Sequence, residues 1–148
     1  MVSGGLANKR RLVLFGTFVL LAWMQAAIAG EWTSPEAVEG ATTVSLEEAY
    51  GLFQQGVRFV DVRSERQYRQ RHIEGAAHLD LNNGFTPEAL EKVVAKDEPF
   101  VIYCNGIMCG RSSRACAQAV DWGFSGVRYF RGGIVDWRRA GLPVAYVE

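Results

Sequence analysis

A chain of 148 residues that is 49% apolar has the material for a single packed domain, and its 16 basic and 16 acidic side chains leave no basic surplus of the kind that binds nucleic acid. Three cysteines are an odd number, so at least one thiol stays unpaired within the chain, and a core of this size does not need disulfide staples. No internal repeat or low-complexity tract interrupts the sequence.

Lys9, Arg10 and Arg11 precede the apolar stretch Leu12 to Met24, and Ala27-Ile28-Ala29 supplies a small-x-small pattern before Gly30. This is the layout of a Sec-type signal peptide over residues 1–29, with an apolar stretch shorter than the ~20 residues a spanning helix needs. Cleavage there leaves 13 basic against 16 acidic side chains and places the protein in the periplasm or outside the cell. Membrane attachment is expected only if the segment stays uncleaved. Residues 30–42, with Ser34-Pro35 and Gly40, form a flexible lead-in to one domain over residues 43–148.

Within that domain Ser45 and Glu48 make a capping box, and Leu46, Ala49, Tyr50 and Phe53 recur at helical spacing until Gly56. Arg58 to Val62 is a β-branched and aromatic run that predicts a strand, followed by a short helix capped by Ser64 and Gln67. Ala76 to Leu79 predicts another brief strand. Thr86 and Pro87 open a helix carrying Leu90, Val93 and Val94. Phe100 to Tyr103 is apolar on both alternating faces, as in the central strand of a parallel sheet covered by helices. Ser112 to Trp122 predicts a helix ended by Gly123, Val127 to Phe130 a strand, and Asp136 to Ala140 a last helical turn closed by Gly141 and Pro143. Alternating strands and helices define a three-layer α/β domain, a small parallel sheet flanked by helices.

The chemistry concentrates in FVIYCNGIMCGRSSR, residues 100–114, where a loop leaves the carboxyl end of a strand and enters a helix N-terminus. Amide N–H groups and the helix dipole converge there and stabilise an anion, and Arg111 and Arg114 add positive charge. A thiolate is such an anion, because a cysteine in these surroundings ionises well below its free pKa and becomes a nucleophile. Cys104 and Cys109 are read as working sulfurs, with buried filler and a disulfide as competing readings. Cys116 lies mid-helix among Ser112, Ala115 and Ala119 and is assigned to the core. No metal is expected, since no second Cys/His pair follows and His72 and His78 lie in a different segment. Phosphatase loops place an arginine six positions after the cysteine; here Arg111 follows Cys104 by seven and Arg114 follows Cys109 by five, so neither cysteine has a bidentate phosphate grip where one is needed.

Asp61-Val62-Arg63, Tyr68, His72-Ile73-x-Gly75-Ala76, VIYC, Arg111-Ser112, Gly123-Phe124, Gly132-Gly133, Trp137 and Ala140-Gly141-Leu142-Pro143-Val144 together resemble a rhodanese (sulfurtransferase) domain across residues 43–147. The resemblance implies a rhodanese-like fold and a catalytic cysteine after the central strand, by position Cys104, that carries a persulfide. It implies a small sulfur-containing anion such as thiosulfate as donor, a thiol as acceptor and no cofactor. The loop amides of Asn105, Gly106, Ile107, Met108, Cys109 and Gly110 would hold the persulfide and the departing sulfite, with Arg111 and Ser112 completing the substrate site.

The departures are specific. Single-domain relatives place the Arg-Ser pair five residues after the cysteine, so this loop is two residues longer, with the pattern CNGxxC seen in exported or redox-associated rhodanese-like proteins. Its second cysteine, Cys109, either resolves a persulfide on Cys104 or carries the sulfur itself. Gln67 stands where Glu is usual and Arg71 where Gly is usual, changes that bear on a helix and a turn more than on the chemistry. Asp61 and Arg63 are read as a polar brace, Tyr68 and His72 as framework, Trp122 and Trp137 as packing residues, and Gly132-Gly133 as a turn with positive φ. Two other functions stay open beside sulfur transfer: a non-catalytic binding module for a sulfur compound or redox partner protein, and a thiol-disulfide exchanger.

Overall fold

The computed structural model describes Met1 and Gly30–Glu148, so the signal-peptide pattern at residues 2–29 lies outside the described residues. Every element below belongs to the unit of residues 31–148. Among the described residues, no helix is long and apolar enough to cross a membrane.

Five strands form one parallel sheet: β1 (Thr42–Thr43), β2 (Arg58–Asp61), β4 (Ala77–His78), β5 (Phe100–Tyr103) and β6 (Val127–Phe130), in the order β1-β6-β5-β2-β4. A two-stranded antiparallel ribbon joins β3 (His72–Ile73) to β7 (Val144–Ala145). The helices are α1 (Leu46–Gln54), α2 (Glu65–Gln70), α3 (Pro87–Glu91), α4 (Arg111–Asp121) and α5 (Gly133–Arg139). The architecture is the α/β one expected, a parallel sheet flanked by helices.

All four residues of β5 are buried, as a strand covered on both faces requires. Its period of two divides the core. Phe100, Ile102 and Cys104 pack with Ala115, Cys116 and Ala119 of α4, while Val101 and Tyr103 pack with Phe59, Ile134 and Trp137 on the other face. Cys104 continues the alternation of β5 and is thereby carried under the N-terminus of α4. Register sets Asp61 opposite Tyr103, and Tyr103 opposite Phe130, so the ends of the three long strands coincide at the edge where the loop begins.

Helix starts follow their sequence signals. Ser45 and Glu48 exchange both capping-box bonds, at 2.7 and 3.2 Å, and Thr86 caps α3 with Pro87 in its first turn. Helix α4, at Arg111–Asp121, and strands β2 and β4 lie within one residue of their predicted ends, while α3 and α5 differ more. Helix α3 ends at Glu91, so Val93 and Val94 reach the core from a turn. Helix α5 begins at Gly133 instead of Asp136; of the Gly132-Gly133 pair expected at positive φ only Gly133 has it, at +58°, and a Cβ there would collide with the carbonyl oxygen of Cys104, whereas Gly132 is at −62°. That close approach lets Ile134 N–H and Val135 N–H bond the carbonyls of Cys104 and Asn105 at 3.0 and 2.9 Å, tying α5 to the first two residues of the loop.

Candidate active site

The site is assembled from the ends of β2 and β5, the loop of residues 104–110 and the first turn of α4. Its floor is a polar brace. Asp61, with no exposed surface, receives Nη2 of Arg63 at 2.6 Å, Nε of Arg63 at 2.9 Å and the Tyr103 hydroxyl at 2.7 Å. Burial alone would lower the pKa of Arg63, but the hydrogen bond and charge of Asp61 outweigh it and hold the guanidinium charged. Tyr103 is pushed far above the ordinary phenol range by burial and by the neighbouring Asp61 carboxylate, so it acts as a fixed donor. The brace reaches outward through Arg63, which donates to the Arg71 carbonyl at 2.6 Å and to Asn105 Oδ1 at 3.4 Å. Asp61 and Arg63 therefore have the contacts of a brace. Tyr68, donating to the Ala76 carbonyl, and His72, bonded to the Tyr68 carbonyl, have those of framework.

The two loop cysteines occupy unlike surroundings. Cys104 has no exposed surface, with its thiol 3.2 Å from the Cys109 carbonyl and 3.1 Å from the Ser112 hydroxyl. Its hydrogen bond with Cys109 and its burial push its pKa up, against the hydroxyl and amide of Ser112, which pull it down. Cys109 is half-buried and is lowered to about 5, first by the hydrogen bond from Cys104, against the opposing cost of burial. Further stabilisation comes from the N–H groups of Asn105 and Arg111 and from the Arg111 charge. Both sulfurs meet donors at the start of α4: the amide and hydroxyl of Ser112 face Cys104, and the amides of Asn105 and Arg111 face Cys109, so the two differ first in burial.

Not every loop amide is free for an anion, since Cys109 N–H is spent on the Gly106 carbonyl at 2.9 Å. Asn105, Arg111 and Ser112 gather around the sulfurs, and Gly110 precedes α4. Ile107 and Met108 instead face outward, 46% and 50% exposed, and with Gly106 and Val135 line an apolar hollow of about 300 Å³. Cys116 is fully buried in the core, and burial pushes its thiol up as well. All three thiols are free. Among the described residues, no group of three or more His, Cys, Asp or Glu is placed to hold a metal ion.

Several residues at the site carried no functional reading in the sequence. Gln67 accepts from Arg111 Nη1 at 3.1 Å and donates to Asn105 Oδ1 at 3.3 Å, so it orients both the arginine and the first loop amide. Gln67 thus serves the site as well as the helix, where it closes the capping box with Ser64. Its signal was available: it departs from the family pattern one residue before Tyr68. The lead-in, expected to be flexible, bonds to the site. Ser34 N–H donates to the Ile107 carbonyl at 2.7 Å, Arg131 grips the Ser34 carbonyl at 2.7 and 3.0 Å, and a Cβ on Gly110 would meet the Trp32 ring.

An α/β domain with a cysteine loop between its central strand and a helix N-terminus, braced by a buried Asp-Arg pair, describes a class of sulfur-handling domain. The family model described as rhodanese-like domain matches residues 45–140, and the chain belongs to the rhodanese-like family. It is 32% identical over 121 residues to the protein HIGH ARSENIC CONTENT 1, mitochondrial, of Arabidopsis thaliana, covering 76% of this chain and 70% of that one. It is 34% identical over 108 residues to the thiosulfate sulfurtransferase GlpE of Actinobacillus pleuropneumoniae, covering 72% of this chain and 94% of the relative. Among solved structures, the human single-domain sulfurtransferase TSTD1 superimposes with a TM-score of 0.59 at 25% identity, covering 67% of this chain and 96% of that one. The family includes sulfurtransferases, and its kind of chemistry is group transfer.

Proposed function

We propose that this protein is a sulfurtransferase whose sulfur carrier is Cys109, with thiosulfate or another sulfane compound as donor and a thiol as acceptor. The observation that carries the reading is the Cys109 sulfur: half-buried, lowered to about 5, and faced by the N–H groups of Asn105 and Arg111. The Cys109 thiolate attacks the outer sulfur of thiosulfate; the new S–S bond forms as the donor's S–S bond breaks, and sulfite leaves with the electron pair. The persulfide anion then occupies the position of the thiolate, stabilised by the same donors. An acceptor thiolate attacks the terminal sulfur, takes it as a new persulfide and regenerates the Cys109 thiolate.

Cys104, in hydrogen-bond contact with Cys109, favours a second outcome when no acceptor arrives. Its sulfur attacks the inner sulfur of a Cys109 persulfide, forming a Cys104–Cys109 disulfide and releasing hydrogen sulfide; an external thiol must then reduce the pair. This supports a redox role for the same loop. The intact mass of the protein after exposure to thiosulfate tests both steps. Cys104→Ser should retain one added sulfur atom and Cys109→Ser should gain none, whereas a stable adduct on Cys109→Ser would move the carrier to Cys104.

The proposal extends to location. The basic, apolar and small-x-small pattern of residues 9–29 supports export to the periplasm or beyond with cleavage after Ala29. N-terminal sequencing of the protein from its host checks this: a chain starting at Gly30 supports export, and one starting at Met1 or Val2 contradicts it.

A further inference from the structure

The lead-in crosses the outside of the cysteine loop as a strap with fixed anchors. Ser34 is 2% exposed, and its N–H donates to the Ile107 carbonyl at 2.7 Å. Its own carbonyl accepts both Nε and Nη2 of Arg131, at 3.0 and 2.7 Å, and the next carbonyl, that of Pro35, accepts the Tyr129 hydroxyl at 3.0 Å. Arg131 follows directly on β6, and among the described residues it has no carboxylate within salt-bridge distance. A forked, charge-assisted grip on a backbone carbonyl fixes orientation as well as distance.

The strap acts on the part of the loop that α5 does not tie. Helix α5 takes the first two loop carbonyls, those of Cys104 and Asn105, and Cys109 N–H takes the third, that of Gly106. The next carbonyl, that of Ile107, is held by Ser34. A trans peptide is planar, so its C=O and the following N–H point in opposite directions, and no peptide bond among the described residues is cis. Each carbonyl drawn to α5 or to the strap therefore turns the next N–H away from that element. Asn105 N–H, turned in this way by the Cys104 carbonyl, faces the Cys109 sulfur. The Ile107 carbonyl turns Met108 N–H in the same manner, and that group has no backbone partner among the described residues.

We propose that Arg131 and Ser34 are positioning residues for sulfur transfer: by holding the Ile107 carbonyl on the outside of the loop, they aim Met108 N–H into it as a hydrogen-bond donor to the oxygens of the anionic sulfur donor. The inference rests on the sulfurtransferase reading for its role in the reaction, while the contact with the anion itself needs no transfer. As the Cys109 thiolate attacks thiosulfate and sulfite leaves with the electron pair, negative charge grows on the sulfite oxygens. A donor already aimed at them costs no reorganisation at that moment. Arg131 and Ser34 act through the peptide between Ile107 and Met108.

The variants that test this are Arg131→Met, Arg131→Lys, which keeps one charged donor, and Ser34→Pro, which deletes the N–H. Arg128→Met is the control, on β6 with its side chain bonded to Thr42 at 3.3 Å. The first measurement is the amide NMR spectrum of the isotope-labelled, reduced protein titrated with sodium sulfite, which has no sulfane sulfur to give. Met108 N–H should shift to saturation in wild type and Arg128→Met, and should lose that response in Arg131→Met and Ser34→Pro. The second is kcat/KM for thiosulfate with cyanide as acceptor, which should fall roughly tenfold or more in those two variants, less in Arg131→Lys, and by less than about twofold in Arg128→Met. Alkylation of Cys109 by iodoacetamide, a neutral reagent that needs no anion donor, should change by less than about threefold, which separates a misaimed donor from a damaged loop. Thermal melts report whether each variant is folded, and Arg131→Met, a change of side chain alone, decides the matter should Ser34→Pro fail to fold. A Met108 signal indifferent to sulfite in wild type, an unchanged kcat/KM in Arg131→Met, or equal losses in transfer and alkylation would overturn the proposal. Sulfite that shifts Met108 in a protein taking no sulfur from thiosulfate would refute the transfer reaction and leave the aimed donor standing.

Discussion

Cys104 and Cys109 lie on one loop, the Cys104 thiol 3.2 Å from the Cys109 carbonyl, yet the fold surrounds them differently. Cys104 is the last member of a strand's alternation, placed by the pleat of β5 among Ala115 and Cys116, where an ionised sulfur would lose its solvation. Cys109 is the residue before Gly110 and the start of α4, where backbone donors have no helical partners and Arg111 brings charge. Two adjacent thiols share their first ionisation, and the lesser burial of Cys109 and the charge of Arg111 favour the anion on that sulfur, with the Cys104 thiol as its donor. Under the proposed assignment, proximity to a helix N-terminus does not by itself make a cysteine the carrier: the sulfur also lies on the open side of the strand end.

The sharpest way to break this contrast is substitution at each sulfur. Cys109→Ser should lower thiosulfate-to-cyanide turnover by roughly a thousandfold or more, since the activated nucleophile is gone, whereas Cys104→Ser should keep measurable turnover and lose disulfide formation. Equal losses in steady-state assays would show that the two sulfurs act as one unit. The brace comes next. Asp61→Ala leaves Arg63 buried and unpaired, so urea denaturation should show a loss of about 3–5 kcal/mol; a loss below about 1 kcal/mol would mean water or another group takes the place of Asp61.

Arg111→Met separates charge from backbone geometry. It removes the guanidinium near Cys109 but leaves the Arg111 and Asn105 amides, so the alkylation midpoint of Cys109 should rise while staying below that of a free cysteine, about 8.5. The smallest effect is expected in the lead-in. The buried Ser34 hydroxyl has no hydrogen-bond partner among the described residues, while its backbone groups make the bonds to Ile107 and Arg131, so Ser34→Ala should change stability by less than about 0.5 kcal/mol in thermal melts.

The sign of the pH dependence follows from the same contrast. The pKa of Cys109 is depressed on folding, so its thiolate contributes stability that is fully present above the unfolded value of about 8.5 and is lost as pH falls through about 5. Between those limits stability should rise with pH, and Cys109→Ser should flatten that part of the profile.

The sequence made the long strands legible because β2, β5 and β6 are continuous runs of β-branched and aromatic residues, and the helix starts legible because Ser45, Ser64 and Thr86 are caps with local partners. The two-residue strands β1, β3 and β7 left no pattern, since a period needs more length than they have. The cysteine loop and the Asp61–Arg63 brace could be picked out by residue type and spacing. Which sulfur faces the donors could not, because that depends on the phase of β5 relative to the start of α4. The contacts of Gln67 and Ser34 with the loop were equally hidden, as they span 38 residues between Gln67 and Asn105 and join segments that only the sheet brings together.

Alkylation with iodoacetamide as a function of pH, read by peptide mapping after brief exposure of the reduced protein, tests the central assignment most directly. Modification at Cys109 should titrate with a midpoint near 5, while Cys104 stays unmodified until the protein unfolds. Preferential labelling of Cys104, or a Cys109 midpoint at the value of a free cysteine, would contradict the account.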